Sequence, residues 1–354
     1  MLKERTTLIL GAGASYDANM PLGMDLAEQI SAITHFEFDH TLTKGDNRFL
    51  AILQATFPDH TELNDHLKLC RKISDGVKLW RSIDNYVDSN SAEPKVSNCA
   101  KLAIAELILR AERNSKLFAE DPHNARFDRN RLGETWYDEF ASIAFQSVPL
   151  NLLSEELEKL RVISFNYDRC FQQALALWIS TAYHITLFEA YDFVRSIKVV
   201  FPYGTIGPLP NKHGNDGLKF GDQPHSTQLK DISGLLRTYS ESSLNDQTST
   251  ALSTAYGFGK VKIFMGCAYH PQNLKLLKSQ EASLEKLIIG TAKNISEDGC
   301  SRIAAMILES MLVLPNGHSS YQTIVPDILG KQLRLHSDFD CSRLLKEYRQ
   351  ALIA

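Results

Sequence analysis

Short apolar and β-branched runs that alternate with amphipathic helical patterns are the feature that most narrows what this chain can fold into. Thr6 to Leu10, Arg161 to Phe165, Lys198 to Phe201, Val261 to Met265 and Leu287 to Ile289 are nearly continuous in hydrophobicity, as strands covered on both faces of a parallel sheet are. Between them, Gly23 to Ile33 places apolar residues at helical spacing. Ser154 to Leu160 opens on an N-cap serine followed by glutamates, and Arg169 to Ile179 continues the helical rule. The alternation predicts an α/β fold: a Rossmann-like, mostly parallel sheet with helices on both faces.

Residues 35–149 hold no good strand but several amphipathic runs, such as Leu63 to Ile73 and Cys99 to Arg113, and are expected to form a helical insertion. The core is then discontinuous, 1–34 and 150–310, and 311–354 is a C-terminal segment with a terminal helix. His213 to Gln223, rich in Gly, Asp and Asn, reads as a mobile loop, and the polar stretch Ser240 to Ser253 as a lid or disordered linker.

Bulk properties remove several function classes. With 354 residues, 44% of them hydrophobic and a formal net charge of -4, the chain has material for a sizeable core and no overall charge to attract nucleic acid or anionic membrane. The six cysteines never approach a C-x2-C spacing, so a zinc ribbon or redox pair is not indicated and buried, inert thiols are expected; no metal ligands are assigned. The N-terminal apolar stretch runs straight into glycines, too short for a membrane span and without a cleavage pattern, which predicts a cytoplasmic protein with no membrane contact.

Four candidate strands end in glycine or polar residues. The first stops on G-A-G (Gly11, Ala12, Gly13), where free backbone N–H groups and absent side chains would let a phosphate approach. A dinucleotide fingerprint is incomplete there, since Tyr16 stands at the third glycine and no acidic residue ends a second strand about 20 positions on; a tight turn without ligand fits the same residues. Asn166, Tyr167 and Asp168 follow the second strand, Tyr203 and Gly204 the third, and Gly266 the fourth. Each is explained separately by a cap or a turn, but together they mark the carboxyl edge of an open α/β sheet, where ligands bind.

At these residues the sequence resembles the sirtuin-like family, particularly bacterial NAD-consuming members of phage-defence systems. G-A-G-A-S at 11–15 with Pro21 and Gly23 is similar to the family's opening motif, F-N-Y-D at 165–168 to its T-N-Y-D segment, and M-G-C-A-Y-H-P-Q-N at 265–273 to its late G-F/T-S segment. The resemblance implies that NAD is held by Gly11, Ala12, Gly13, Ala14, Ser15 and Asp17, by Pro21 and Gly23, by Asn166 and Tyr167, and by Gly204, Gly266 and Cys267. It implies an NAD hydrolase acting as an antiviral effector, in which Asn166 holds the ribose or the attacking water and Asp168 orients the loop or stabilises the cationic sugar.

One position departs from the family pattern: Tyr203-Gly204 stands where His-Gly is usual. A phenol with an ordinary pKa of about 10 is a poor base at neutral pH, so Tyr203 is expected to hydrogen-bond the ribose hydroxyls, and the alternative is an NAD or ADP-ribose sensor without turnover. His184, His213 and His225 lie nearby in sequence and are expected to be surface residues. Family deacetylases carry a four-cysteine zinc module that these cysteines do not match, and an ordinary dinucleotide oxidoreductase is disfavoured by the incomplete fingerprint. A trigger is expected from a homo-oligomer or a defence-system partner protein.

Overall fold

The computed structural model describes residues 1–80, 82–214, 216–243, 245–278, 286–311 and 332–353. In chain order its strands are β1 (Thr6–Leu10), β2 (Glu37–Asp39), β3 (Thr41–Lys44), β4 (Leu160–Ser164), β5 (Lys198–Val200), β6 (Val261–Met265), β7 (Leu287–Thr291) and β8 (Leu333–His336). Among the described residues, β5-β4-β1-β6-β7-β8 form one sheet in that spatial order, every neighbouring pair parallel. Counted within this sheet alone the order is 3-2-1-4-5-6, the arrangement of doubly wound dinucleotide folds, in which the crevice opens where the order reverses. Here the reversal lies between β1 and β6.

Successive side chains of a strand point to opposite faces, and the core divides accordingly. Leu8, Leu10, Val162 and Ile263 pack on one face with Ile73, Leu102 and Phe140 of the segment between β1 and β4. Ile9, Ile163, Phe264 and Ile288 pack on the other with Leu252, Tyr256 and Ile307. Both faces are covered by helices, as expected for a Rossmann-like α/β fold. The insertion shares its core with the sheet and is part of the same body.

Thr6–Leu10, Val261–Met265 and helix Gly23–Ile33 form as expected from sequence. Four segments differ. The stretch 35–149 contains the antiparallel hairpin β2–β3, mostly exposed, with Leu42 half-buried against the core. The polar stretch expected to be a lid is two helices, Tyr239–Ser243 and Asp246–Phe258; the Asn245 side chain caps the second by accepting from the Thr248 N–H (2.8 Å), and its apolar face packs on the sheet.

The loop around Leu218 is pinned rather than mobile. The buried Arg169 guanidinium donates to the carbonyls of Leu218 (2.5 Å) and Lys219 (3.0 Å), and Glu112 accepts from the Gly221 N–H (3.1 Å). Finally, β8 extends the sheet into the C-terminal segment, followed by the expected terminal helix, Cys341–Leu352; residues 312–331 of that segment lie outside the described residues. An isolated antiparallel bridge joins Leu2 to Ile353. Among the described residues no helix is long and apolar enough to cross a membrane.

Candidate functional site

Register decides which residues meet. β1 pairs residue for residue with β4 and β6, so Leu10, Ser164 and Met265 stand level at the carboxyl edge. The Phe165 N–H donates to the Leu10 carbonyl (2.9 Å) and the Gly11 N–H to the Met265 carbonyl (3.0 Å), carrying the ladder one step past the strands. Gly11, Asn166 and Gly266 therefore emerge together. They line a cleft of about 580 Å³ with Gly13, Tyr203 and Cys267, a volume within the range of small-molecule sites.

The glycines serve close backbone packing. A Cβ on Gly11 would lie 2.6 Å from the Gly266 carbonyl oxygen, one on Gly13 2.9 Å from the Gly266 Cα, and one on Gly266, at φ +62, only 1.9 Å from the Ala14 nitrogen. Only glycines let these two loops touch. This corrects the expectation of a turn rich in free N–H donors. The Gly13 N–H donates to the Gly266 carbonyl (3.0 Å) and the Ala14 N–H to the Gly11 carbonyl (2.9 Å), and the turn continues as a 3-10 helix, Ala12–Ala18. Exposed Ala12 lines the cleft at this turn.

Behind the turn sits a buried polar chain. Asn166 Nδ2 donates to the Gly11 carbonyl (3.0 Å) and to Ser15 Oγ (3.1 Å); Ser15 Oγ donates to Asp168 Oδ1 (3.0 Å), which also accepts from the Cys170 N–H (2.9 Å). Burial holds the Asp168 carboxyl above its ordinary range, opposed by the Cys170 and Ser15 donors. These bonds commit the Asn166 amide nitrogen to the protein and leave its Oδ1 for the cleft. Asp168, Ser15 and Ala14 do not line the cleft; Asp168 is a positioning residue for the turn. Trp136 Nε1 (2.6 Å) and Tyr137 Oη (3.1 Å), from the insertion helix Trp136–Phe145, both donate to the Ala14 carbonyl and clamp it from outside.

Tyr167, Pro21 and Gly204 also lie off the cleft, whereas Ala12, Asp17 and Gly23 line it. Gly204, at φ +73, is required by the close passage of the Leu235 carbonyl oxygen, 2.0 Å from where its Cβ would stand. Tyr203 Oη donates to Asn273 Oδ1 (2.6 Å), and burial pushes its phenol well above the ordinary value. It is a hydrogen-bonding group and not a base.

Several lining residues carry no signal in the sequence. Helix Ile83–Ser89 of the insertion brings Asp84 and Asn85 to the cleft, with Ser82 as its N-cap. Asp84 is half-buried and accepts a short hydrogen bond from the Tyr167 phenol; burial raises its carboxyl to about 6 against the opposing pull of that bond. Its motif-free context, S-I-D-N-Y, reads as an ordinary capped helix. The C-terminal segment supplies Phe339, Asp340 and Cys341, and the turn after β7 supplies Lys293. Asp17 accepts from the Trp136 N–H (3.4 Å), and burial raises its carboxyl.

Cys267 and Cys341 are both free thiols in the lining, and burial pushes the Cys267 thiol up to about 12, so it stays protonated. His184, His213 and His225 are exposed and away from the cleft; His270, from the quoted A-Y-H-P-Q-N stretch, lines it instead.

Fold and site together define a Rossmann-like α/β protein with a ligand-sized crevice at its switch point, walled by the sheet edge, the insertion and the C-terminal segment. No protein-family model matches the chain, and neither the curated proteins nor the solved structures give a significant match, so the site is read from its own geometry.

Proposed function

We propose that the chain binds NAD in this cleft and hydrolyses its nicotinamide–ribose bond. The observation that carries the reading is the convergence of Gly11, Gly13, Asn166, Tyr203 and Gly266 on one cleft of about 580 Å³ at the switch point. That volume suits a dinucleotide, and the lining suits its parts: the turn at Ala12 and Lys293 for a phosphate, Asn166 Oδ1 and the Tyr203–Asn273 pair for ribose hydroxyls.

The chemistry passes through an oxocarbenium-like state and expels nicotinamide as a neutral molecule, so no general acid is required. What the protein supplies is orientation and a negative environment for the growing positive charge on the sugar. Asp17, Asp84 and Asp340 line the cleft, against Lys293 as the lysine of the lining. The antiviral-effector role is supported by the sequence resemblance; a cytoplasmic setting is supported by the short N-terminal apolar stretch without a cleavage pattern, and a partner or homo-oligomer is proposed as the trigger.

A second reading, an NAD or ADP-ribose sensor, is favoured by one observation: Tyr203, where the family has histidine, is buried and bonded to Asn273 and offers no base. Incubation of the purified protein with NAD, following nicotinamide and ADP-ribose by chromatography, separates the two. Product formation that disappears in Asn166→Ala is expected. Tight binding without product favours the sensor, and absence of both binding and product overturns the NAD reading.

A further inference from the structure

We propose that Asp84 is the general base of the reaction, placed in the cleft by the insertion and aimed by the phenol of Tyr167. The proposal rests on the hydrolase reading and assigns it the base that Tyr203 does not provide. Asp84 lines the cleft with Asn166 and Tyr203. Its Oδ1 accepts from Tyr167 Oη, and Tyr167 is the chain neighbour of Asn166, so one dipeptide fixes both the amide and the carboxylate. Among the described residues no other side chain donates to the Asp84 carboxylate, whose remaining donor is its own backbone N–H, so its Oδ2 has room to accept from a water.

Of the other carboxylates nearby, Asp168 and Asp88 are committed, while among the described residues Asp340 and Asp17 each keep one oxygen unbonded but make no bond to the Asn166–Tyr167 loop. Asp168 is sealed behind Ser15, Asp340 accepts from the Arg343 N–H (2.8 Å), and Asp88 accepts from Ser240 Oγ (2.9 Å) and Gln272 Nε2 (3.2 Å). Asp17 sits beside Trp136 and Asp340.

The step balances without a further reactant. As the water oxygen bonds to the anomeric carbon, Asp84 takes one of its protons. The carbon–nitrogen bond breaks with its electron pair passing to the pyridinium nitrogen, nicotinamide leaves neutral, and Asp84 then releases the proton to solvent. The titration of Asp84 is set first by burial, then by the Tyr167 donor from the loop after β4, by Asp88 one turn along its own helix and by its own backbone N–H; Tyr203 faces it from the loop after β5. A base that titrates just below the working pH is the effective kind.

The test is the pH dependence of kcat for NAD cleavage, with NAD binding measured separately by calorimetry. The wild type is expected to show an acidic limb near pH 6. Asp84→Asn is expected to lower kcat by about 10² to 10⁴ and abolish the limb, with affinity for NAD within about threefold and an unchanged far-UV spectrum. Tyr167→Phe, which removes a donor to the carboxylate, is expected to move the limb to higher pH.

An Asp84→Asn enzyme whose kcat stays within about fivefold of wild type, or that keeps the limb, overturns the proposal while leaving the hydrolase reading intact. Loss of the limb in Asp17→Asn but not in Asp84→Asn does the same. Wild type that binds NAD without cleaving it at any pH removes the hydrolase reading and the base with it.

Discussion

Asp84 holds its proton up to about pH 6 in the folded chain and up to about pH 4 when unfolded. Between those values the native state carries the extra proton, so the contribution of this group to stability falls as pH rises through the window. Above it, the charge sits half-buried at a cost that the Tyr167 phenol only partly offsets. Asp84→Asn removes that charge and keeps an acceptor for the phenol. The variant is expected to melt at a higher temperature than wild type at pH 7.5, and the difference is expected to close between pH 6 and pH 4 in thermal scans at matched ionic strength. A residue selected only for folding would not show that pattern.

At the scale of elements, the buried pair Glu112–Arg169 connects three parts of the chain. Glu112 ends the inner face of helix Pro94–Arg113, Arg169 precedes helix Cys170–Tyr183, and between them they bond the loop carbonyls of Leu218 and Lys219 and the Gly221 N–H. Breaking a buried pair leaves an uncompensated charge, at a cost of roughly 3–5 kcal/mol. Glu112→Ala is expected to lower the unfolding free energy by about that amount in urea titration, and Glu112→Gln by less.

Elements of this kind differ in how far they can be read from sequence. β1, β4 and β6 are legible because strands covered on both faces are largely apolar, with only Thr6, Thr7, Arg161, Ser164 and Lys262 breaking the run, and the glycine and polar residues at their ends stand out against them. β8, L-R-L-H, alternates as an edge strand does, but at four residues the run is too short to stand out from its polar surroundings. The Gly11, Gly13 and Gly266 turn was legible as glycine, but its purpose was not: contact between two loops 250 residues apart leaves no local trace. Asp84 was illegible for the same reason, since its value comes from Tyr167 and not from its own neighbours.

The whole molecule assembles one cleft from the sheet edge, the insertion and the C-terminal segment. The last of these is fastened by Arg349, which pairs with Glu139 (2.6 Å) and donates to Ser142 Oγ (3.0 Å) and Gln146 Oε1 (2.7 Å), all on or just beyond the helix that also clamps the Ala14 carbonyl. Access to the cleft is therefore a property of the complete fold and not of the sheet alone.

The bridge between Leu2 and Ile353, backed by the Lys3 N–H donating to the Leu352 carbonyl (3.0 Å), brings residues 2 and 353 side by side before β1 begins. The length of β1, roughly 17 Å, separates them from the crevice mouth. Joining residues 2 and 353 through a short tether and reopening the exposed loop Glu120–Asn124 is expected to give a circular permutant that folds and melts cooperatively, as circular dichroism would report. A reporter attached beside residue 2 or 353 would stand on the rim opposite the cleft, clear of the chemistry.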